Sequence, residues 1–529
     1  MLKFLKKKRP KLLVLGLDGF APELVLSKWR NELPTFNRLT KDGAFGTLQS
    51  SVPCVSIPAW NVMTSGKDAG TIGIYGKENH GEGSYDDVQT AFGSAGREPA
   101  VWEILGATGK RVVTMGVPGT YPPRQVNGAQ ISCHLTPQTM VTGADGRPRA
   151  AEFTYPCELG EKVNQWAGGE YPVDVNFDGK SAVAQPIEEQ IQQIYHMTDL
   201  HFQVMRKLIK QQMWDFFISV EIGPSRLQQR LWGRNTKRLD SGNESSEATF
   251  EQAILDYYKH IDSHIEQLMT ELDSDTALMI VSDRGVQSTA GTICVNDWLA
   301  GEEWLAFVDG PANQVRPFSA EAVDWQKTLA WAEGGEYTRF FLNVEGRERQ
   351  GVIPWSRYLH MRDELIAKIQ DVRGPNGERL NTQIFKPEET FRHLHGTVPD
   401  LIVYWDTLRR HSTGDVGHPN IWTDVCKTGA APTPNGIYIF WHPRQKLNGR
   451  ELLGWEIMDV APTILDYFQV PMPIEMQGRK MPLTPKEADA APTPTLMDLP
   501  GQVQPKPAPR RQRRPKAKLA AHARFTPER

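Results

Sequence analysis

Two apolar runs in this sequence each end in an acidic residue. KLLVLGLDGF carries Asp18, and TALMIVSDRG carries Asp283. Short apolar runs of this kind read as buried central strands, and in open α/β sheets ligands bind beyond the carboxyl ends of such strands. Ser56 opens SIPAW, where Pro53 and Pro58 frame a turn into a helix. A hydroxyl at a helix N-terminus meets free backbone N–H groups and a dipole that favours phosphate. An oxygen nucleophile flanked by strand-end carboxylates is what metal-assisted phosphoryl transfer uses. The cations lower the pKa of the nucleophile and neutralise charge on the transferred group. The plain alternative is capping, with Asp18 and Asp283 as caps after strands and Ser56 as an N-cap.

The elements that must position these residues follow from the pattern. PTFNRLTKDGAFGTLQS predicts a helix, a turn at Asp42-Gly43 and a strand; RVVTMGVPGTYPP (111–123) predicts a strand and a Pro/Gly loop. Residues 124–195 are rich in Gly, Pro and Thr and read as an excursion over the sheet edge. A long amphipathic helix (188–211) leads into the strand WDFFISVEIG (214–223). ATFEQAILDYYKHIDSHIEQLMTEL has apolar residues at helical spacing and feeds the Asp283 strand. A smaller inserted α/β segment is expected over 300–395. PDLIVYW (399–405) and NGIYIFW (435–441) read as further strands, and WEIMDVAPTILDYF as the last core helix.

Length and composition set the frame. The chain has 529 residues, enough for one large α/β domain with a subdomain. A net charge of -3 argues against wholesale nucleic-acid binding. Cys54, Cys133, Cys157, Cys294 and Cys426 are odd in number and scattered, which reads as reduced thiols in a cytoplasmic protein. The basic N-terminus is followed by an apolar run, Leu12–Leu17, too short to span a bilayer, and no transmembrane segment is expected. From 484 to 529 the composition shifts to Pro, Ala, Lys and Arg, with a basic cluster from Arg510 to Lys518; this predicts a disordered tail. Such a tail can attach to an anionic partner or a membrane surface. With Phe525 as its one aromatic, base stacking and specific nucleic-acid recognition are not expected.

The ordered blocks LGLDG, PTFNRLTKDGAFGTLQSSVPCVSIPAWNVMTSGKDAGTIGIYG, YYKHIDSHIEQL, LMIVSDRG, NDWL, FFLNVEGRERQGVI, PDLIVYW, PNGIYIFWHP and DVAPTILDYFQVPMPIEMQGRKM resemble the type I phosphodiesterase/nucleotide pyrophosphatase branch of the alkaline phosphatase superfamily, over residues 11–482. The resemblance implies a three-layer α/β/α fold with a mostly parallel sheet over residues 1–483. It implies phosphoric ester hydrolysis with Ser56 as nucleophile, and Asp18, Ser56 and Asp283 as ligands of one metal.

Other positions depart from the family pattern. Its SDHG motif is SDRG here, with Arg284 where a histidine ligand is expected. Its TDRLQH pattern is PSRLQQ here, so Ser225 and Gln229 replace an Asp and a His. Its histidine before NGI is missing, and the vacated position falls at or within two residues of Pro432. One metal site thus loses its three ligands and the other loses one. Zinc takes His nitrogen or carboxylate oxygen at about 2.0–2.2 Å, so the chain is expected to hold no metal or a single Zn, Mn or Mg ion. A guanidinium cannot bind metal and stays protonated. Arg284 is therefore expected to replace the metal as a fixed cation and to leave an anion site beside Ser56; the alternative places it in solvent. Two functional expectations follow. One is a pseudoenzyme that binds a phosphate ester or serves as a scaffold. The other is a working hydrolase with one residual metal.

Overall fold

Strand β1 (Lys11–Leu17) is buried at every position after Lys11. Leu12 and Val14 enter one core, and Leu13, Leu15 and Leu17 enter another. A strand that is apolar on both faces requires cover on both, which is why this run lies at the sheet centre. The computed structural model describes residues 9–484, apart from 82, 86–87, 91–97, 139–140, 143–147, 176–184, 240–243, 311–313 and 425–428. The basic cluster of the tail, the first N-terminal lysines and Cys426 lie outside the described residues.

The other main strands are β2 (Ala44–Gln49), β3 (Val112–Met115), β4 (Gly128–Ile131), β5 (Phe216–Glu221), β6 (Thr276–Val281) and β7 (Asn435–Trp441). Their order is β2-β7-β6-β1-β5-β3-β4, with Arg450–Glu451 and Thr154–Tyr155 at the two ends. β6, β1, β5, β3 and β4 run parallel; β7 is antiparallel to both its neighbours. Helices cover both faces. α1 (Pro34–Asp42), α3 (Ile187–Gln211) and α5 (Glu244–Glu271) supply Phe36, Phe202, Met205, Tyr257 and Ile261 to one core. α2 (Ser56–Ser65) and α6 (Val460–Tyr467) supply Trp60, Met63 and Ile464 to the other. The result is a three-layer α/β/α fold. α1 lacks a capping side chain of its own, because Leu33 holds the cap position; Asp262 on α5 accepts from the backbone N–H of Thr35 at 3.0 Å and of Phe36 at 2.8 Å instead.

Two parts of the chain differ from the sequence reading. Residues 124–195 are more than an excursion: β4 and Thr154–Tyr155 extend the main sheet, and Leu159–Ala167 is a helix. β4 has four residues, too few to show a period. The run in PDLIVYW joins a second sheet rather than the main one. There Ala330–Glu333, Thr338–Leu342, Leu401–Tyr404 and Gln383–Phe385 form an antiparallel sheet with its own core, including Trp331, Phe340, Leu365 and Trp405. Among the described residues no helix is long and apolar enough to cross a membrane.

Candidate functional site

Because β6, β1 and β5 are neighbours and parallel, their carboxyl ends open at one edge. Asp283 lies two residues beyond β6, Asp18 follows β1, and Glu221 ends β5. All three are at most 1% exposed. Ser56 is the first residue of α2, and its hydroxyl donates to Asp18 Oδ2 rather than capping the helix. Trp60, one turn further on, donates Nε1 to the same oxygen at 2.9 Å. Gly16 makes room for that indole, since a Cβ there would lie 2.4 Å from Trp60 Cη2.

Arg284 is 5% exposed, which excludes its solvent-facing alternative. Its Nη1 donates to Asp18 Oδ1 at 3.0 Å and to Asp283 Oδ2 at 3.1 Å. Asp283 Oδ1 accepts from the backbone N–H of Gly19 at 3.0 Å. Burial alone would raise the pKa of both carboxyls. At Asp18 the Arg284 guanidinium and the hydrogen bonds from Ser56 and Trp60 overcome it and hold the group at about 2. At Asp283 burial and the charge on Asp18 prevail over Arg284 and push the group up to about 7. One cation between two buried carboxylates leaves an excess of negative charge, and the second carboxyl carries that cost.

The other substituted positions gather around Arg284. Ser225 and Gln229 lie one turn apart on α4 (Gly223–Leu239), where Gln229 Nε2 donates to Ser225 Oγ at 3.4 Å. Pro432 lies in Ala430–Thr433, paired with Val286 of Gly285–Ser288. Ser225, Gln229, Arg284 and Pro432 together line a cleft of about 10 Å³, space for about one water at most. These residues do not fit the metal centre that the fold implies. Both inward-facing carboxylate oxygens are taken by a guanidinium nitrogen, and Ser225, Gln229 and Pro432 bring neither imidazole nor carboxylate.

A cavity of about 320 Å³ opens above Ser56 and Arg284. Lys77 lies on its wall, exposed; His134, Arg226, Glu336 and Arg339 line it too. Arg226 Nε donates to Asp174 Oδ1 at 2.8 Å, and Arg339 pairs with Glu333. Burial and the nearby Arg226 push His134 down to about 4, so its ring is neutral. His80 pairs with Glu333 beside the cavity. His418 lies away from it: its Nδ1 meets Asp297 Oδ2 at 2.9 Å, and its backbone N–H donates to the same oxygen at 3.1 Å.

Glu221 was missed in the sequence, although ISVE ends a buried run in an acid just as VLGLD and MIVSD do. Its Oε1 accepts from Thr198 Oγ1 at 3.1 Å and from Gly223 N at 2.8 Å. His201 Nδ1 meets its Oε2 at 2.9 Å, while His201 Nε2 meets the Pro172 carbonyl at 2.7 Å. Burial opposes the imidazolium, but Glu221 and this carbonyl outweigh it and raise the pKa of His201. A raised folded pKa adds stability that is complete below about pH 6.5 and is lost as pH climbs through the folded value. His201→Gln is therefore expected to cost about 1.5–3 kcal/mol near pH 6, and less as pH rises to 9. Urea melts with chelator present check this; a pH-independent difference would contradict it.

The sequence model of the type I phosphodiesterase / nucleotide pyrophosphatase family matches residues 12–443. No curated protein matches the sequence. Among solved structures, the fold is similar to phosphonoacetate hydrolase from Sinorhizobium meliloti 1021 in complex with phosphonoformate, with a TM-score of 0.53 and 13% identity over 87% of this chain and 95% of that one. It is also similar to murine ectonucleotide pyrophosphatase / phosphodiesterase 5, with a TM-score of 0.50 and 12% identity over 88% of this chain and 96% of that one. Identities this low show the fold alone. The match over residues 12–443, on a three-layer fold whose sheet edge gathers Asp18, Ser56 and Asp283, assigns this chain to the type I phosphodiesterase / nucleotide pyrophosphatase family.

Proposed function

We propose that this protein is a pseudoenzyme of its family, which binds a phosphate ester at the strand-end cavity without metal-dependent phosphoryl transfer. The observation that carries the reading is Arg284 Nη1, buried between Asp18 Oδ1 and Asp283 Oδ2 as an internal cation. Three features favour an anionic ligand. The N-terminus of α2 faces the cavity at Ser56, Lys77 is exposed on its wall, and the buried Nε of Arg284 has no hydrogen-bond partner among the described residues. Turnover is disfavoured for a separate reason. The base nearest Ser56 is Asp18, and a carboxylate held at about 2 is a poor proton acceptor.

The competing reading is an active phosphoric ester hydrolase. It needs Ser56 as nucleophile, one Zn, Mn or Mg ion on Asp18, Ser56 and Asp283, and Arg284 displaced. Activated aryl phosphate mono- and diesters, assayed with each ion added, separate the two. The expected outcome is no metal-dependent turnover and no difference between the wild type and Ser56→Ala. Turnover that needs metal and disappears in Ser56→Ala would decide for the hydrolase.

A further inference from the structure

Away from the strand ends, three metal-ligating side chains converge between two helices. His260 and His264 are one turn apart on α5, and Asp199 faces them from α3. His260 Nε2 and His264 Nε2 each lie 2.8 Å from Asp199 Oδ1 and 3.2 Å from each other. In a tetrahedral zinc site with bonds of about 2.0–2.1 Å, neighbouring ligand atoms are roughly 3.3 Å apart. The triangle is already close to that size and needs to widen by only a few tenths of an ångström.

The rings are held in place. His264 stacks on Phe202 at 4.5 Å with an interplanar angle of 5°, and His260 packs against Tyr195 at 4.9 Å. The approach is open on one side, where the Asp199 side chain is 49% exposed and that of His260 is 27% exposed. Water can therefore complete the coordination shell. Among the described residues, a positive group faces the cluster: Arg206 Nη1 lies 3.5 Å from His264 Nδ1 and 3.1 Å from Gln267 Oε1. Ligation through Nε2 puts the proton on Nδ1, so Arg206 must give up the longer contact and keep Gln267.

We propose that Asp199, His260 and His264 form a site for a divalent transition-metal ion that ties α3 to α5. Two imidazoles and one carboxylate suit Zn2+, Co2+ or Ni2+ rather than Mg2+ or Ca2+. The site is separate from the strand-end cavity and does not rest on the reading given for it.

The test uses full-length protein stripped with chelator, then titrated with Zn2+ by calorimetry and with Co2+ by visible absorption. The expected result is one equivalent bound, with a rise in Tm on adding Zn2+. Losing an outer-shell partner costs roughly 10–100-fold in metal affinity, so loss of a direct ligand in His260→Gln or Asp199→Asn is expected to cost at least about tenfold. Both residues are more exposed than His264, whose replacement would disturb the packing on Phe202. Asp283→Asn should leave the binding unchanged. No saturable Zn2+ binding, or equal binding in His260→Gln and Asp199→Asn, would show a hydrogen-bonded cluster only and overturn the proposal.

Discussion

Arg284→Met is expected to lower folding stability by about 3–5 kcal/mol, the cost of leaving buried charge without its partner. Asp18 and Asp283 are at most 1% exposed, and the Arg284 guanidinium is the cation that touches both. The methionine fills much of the same volume, so the loss reports charge rather than a void. A companion variant makes this specific. Adding Asp18→Asn and Asp283→Asn to Arg284→Met removes the stranded charge, and replacing a whole buried ion group is often neutral. The triple variant should recover most of the lost stability in urea melts. A loss under about 1 kcal/mol for Arg284→Met, or no recovery in the triple variant, would show that Arg284 does not compensate these carboxylates.

Arg284→His is expected to exchange the internal cation for an external one. The substitution restores the residue type that the family resemblance implies, beside Asp18, Asp283 and the Ser56 hydroxyl. Without metal it should be destabilised, though less than Arg284→Met, because an imidazole between two carboxylates can take up a proton and supply part of the missing charge. With free Zn2+ at 100 times its dissociation constant, binding to the folded state alone returns about 2.7 kcal/mol. Thermal melts with chelator and with Zn2+, both in an Asp199→Asn background, isolate the strand-end contribution from the helix pair. A melting curve insensitive to Zn2+ would mean that the remaining ligands cannot hold an ion even when the arginine is gone.

Much of this was legible in the sequence for identifiable reasons. Strands apolar on both faces, such as KLLVLGL and TALMIV, announce themselves as central, and the acids after them mark the edge where the site lies. The residue type at 284 implied a fixed cation. Its direction was open, because a side chain three positions past a strand can turn inward or outward. The long-range approach of Asp18 to Asp283 decides it. Trp60 follows Ser56 by one helical turn, but that spacing does not reveal that its N–H shares the Asp18 oxygen with the Ser56 hydroxyl. The hairpin turn that carries Glu336 and Tyr337 to the cavity comes from a separate sheet with its own core. No local pattern encodes that approach. Short strands such as Gly128–Ile131 escape for the simpler reason that four residues show no period.

The central claim is that Arg284 stands where a metal would otherwise bind. Its most direct test is the zinc and manganese content of purified full-length protein, wild type beside Asp283→Ala. Removing Asp283 leaves Arg284 paired one-to-one with Asp18, so the variant keeps a balanced site. Any bound metal should be the same in both proteins. Stoichiometric metal in the wild type that disappears in Asp283→Ala would contradict the account.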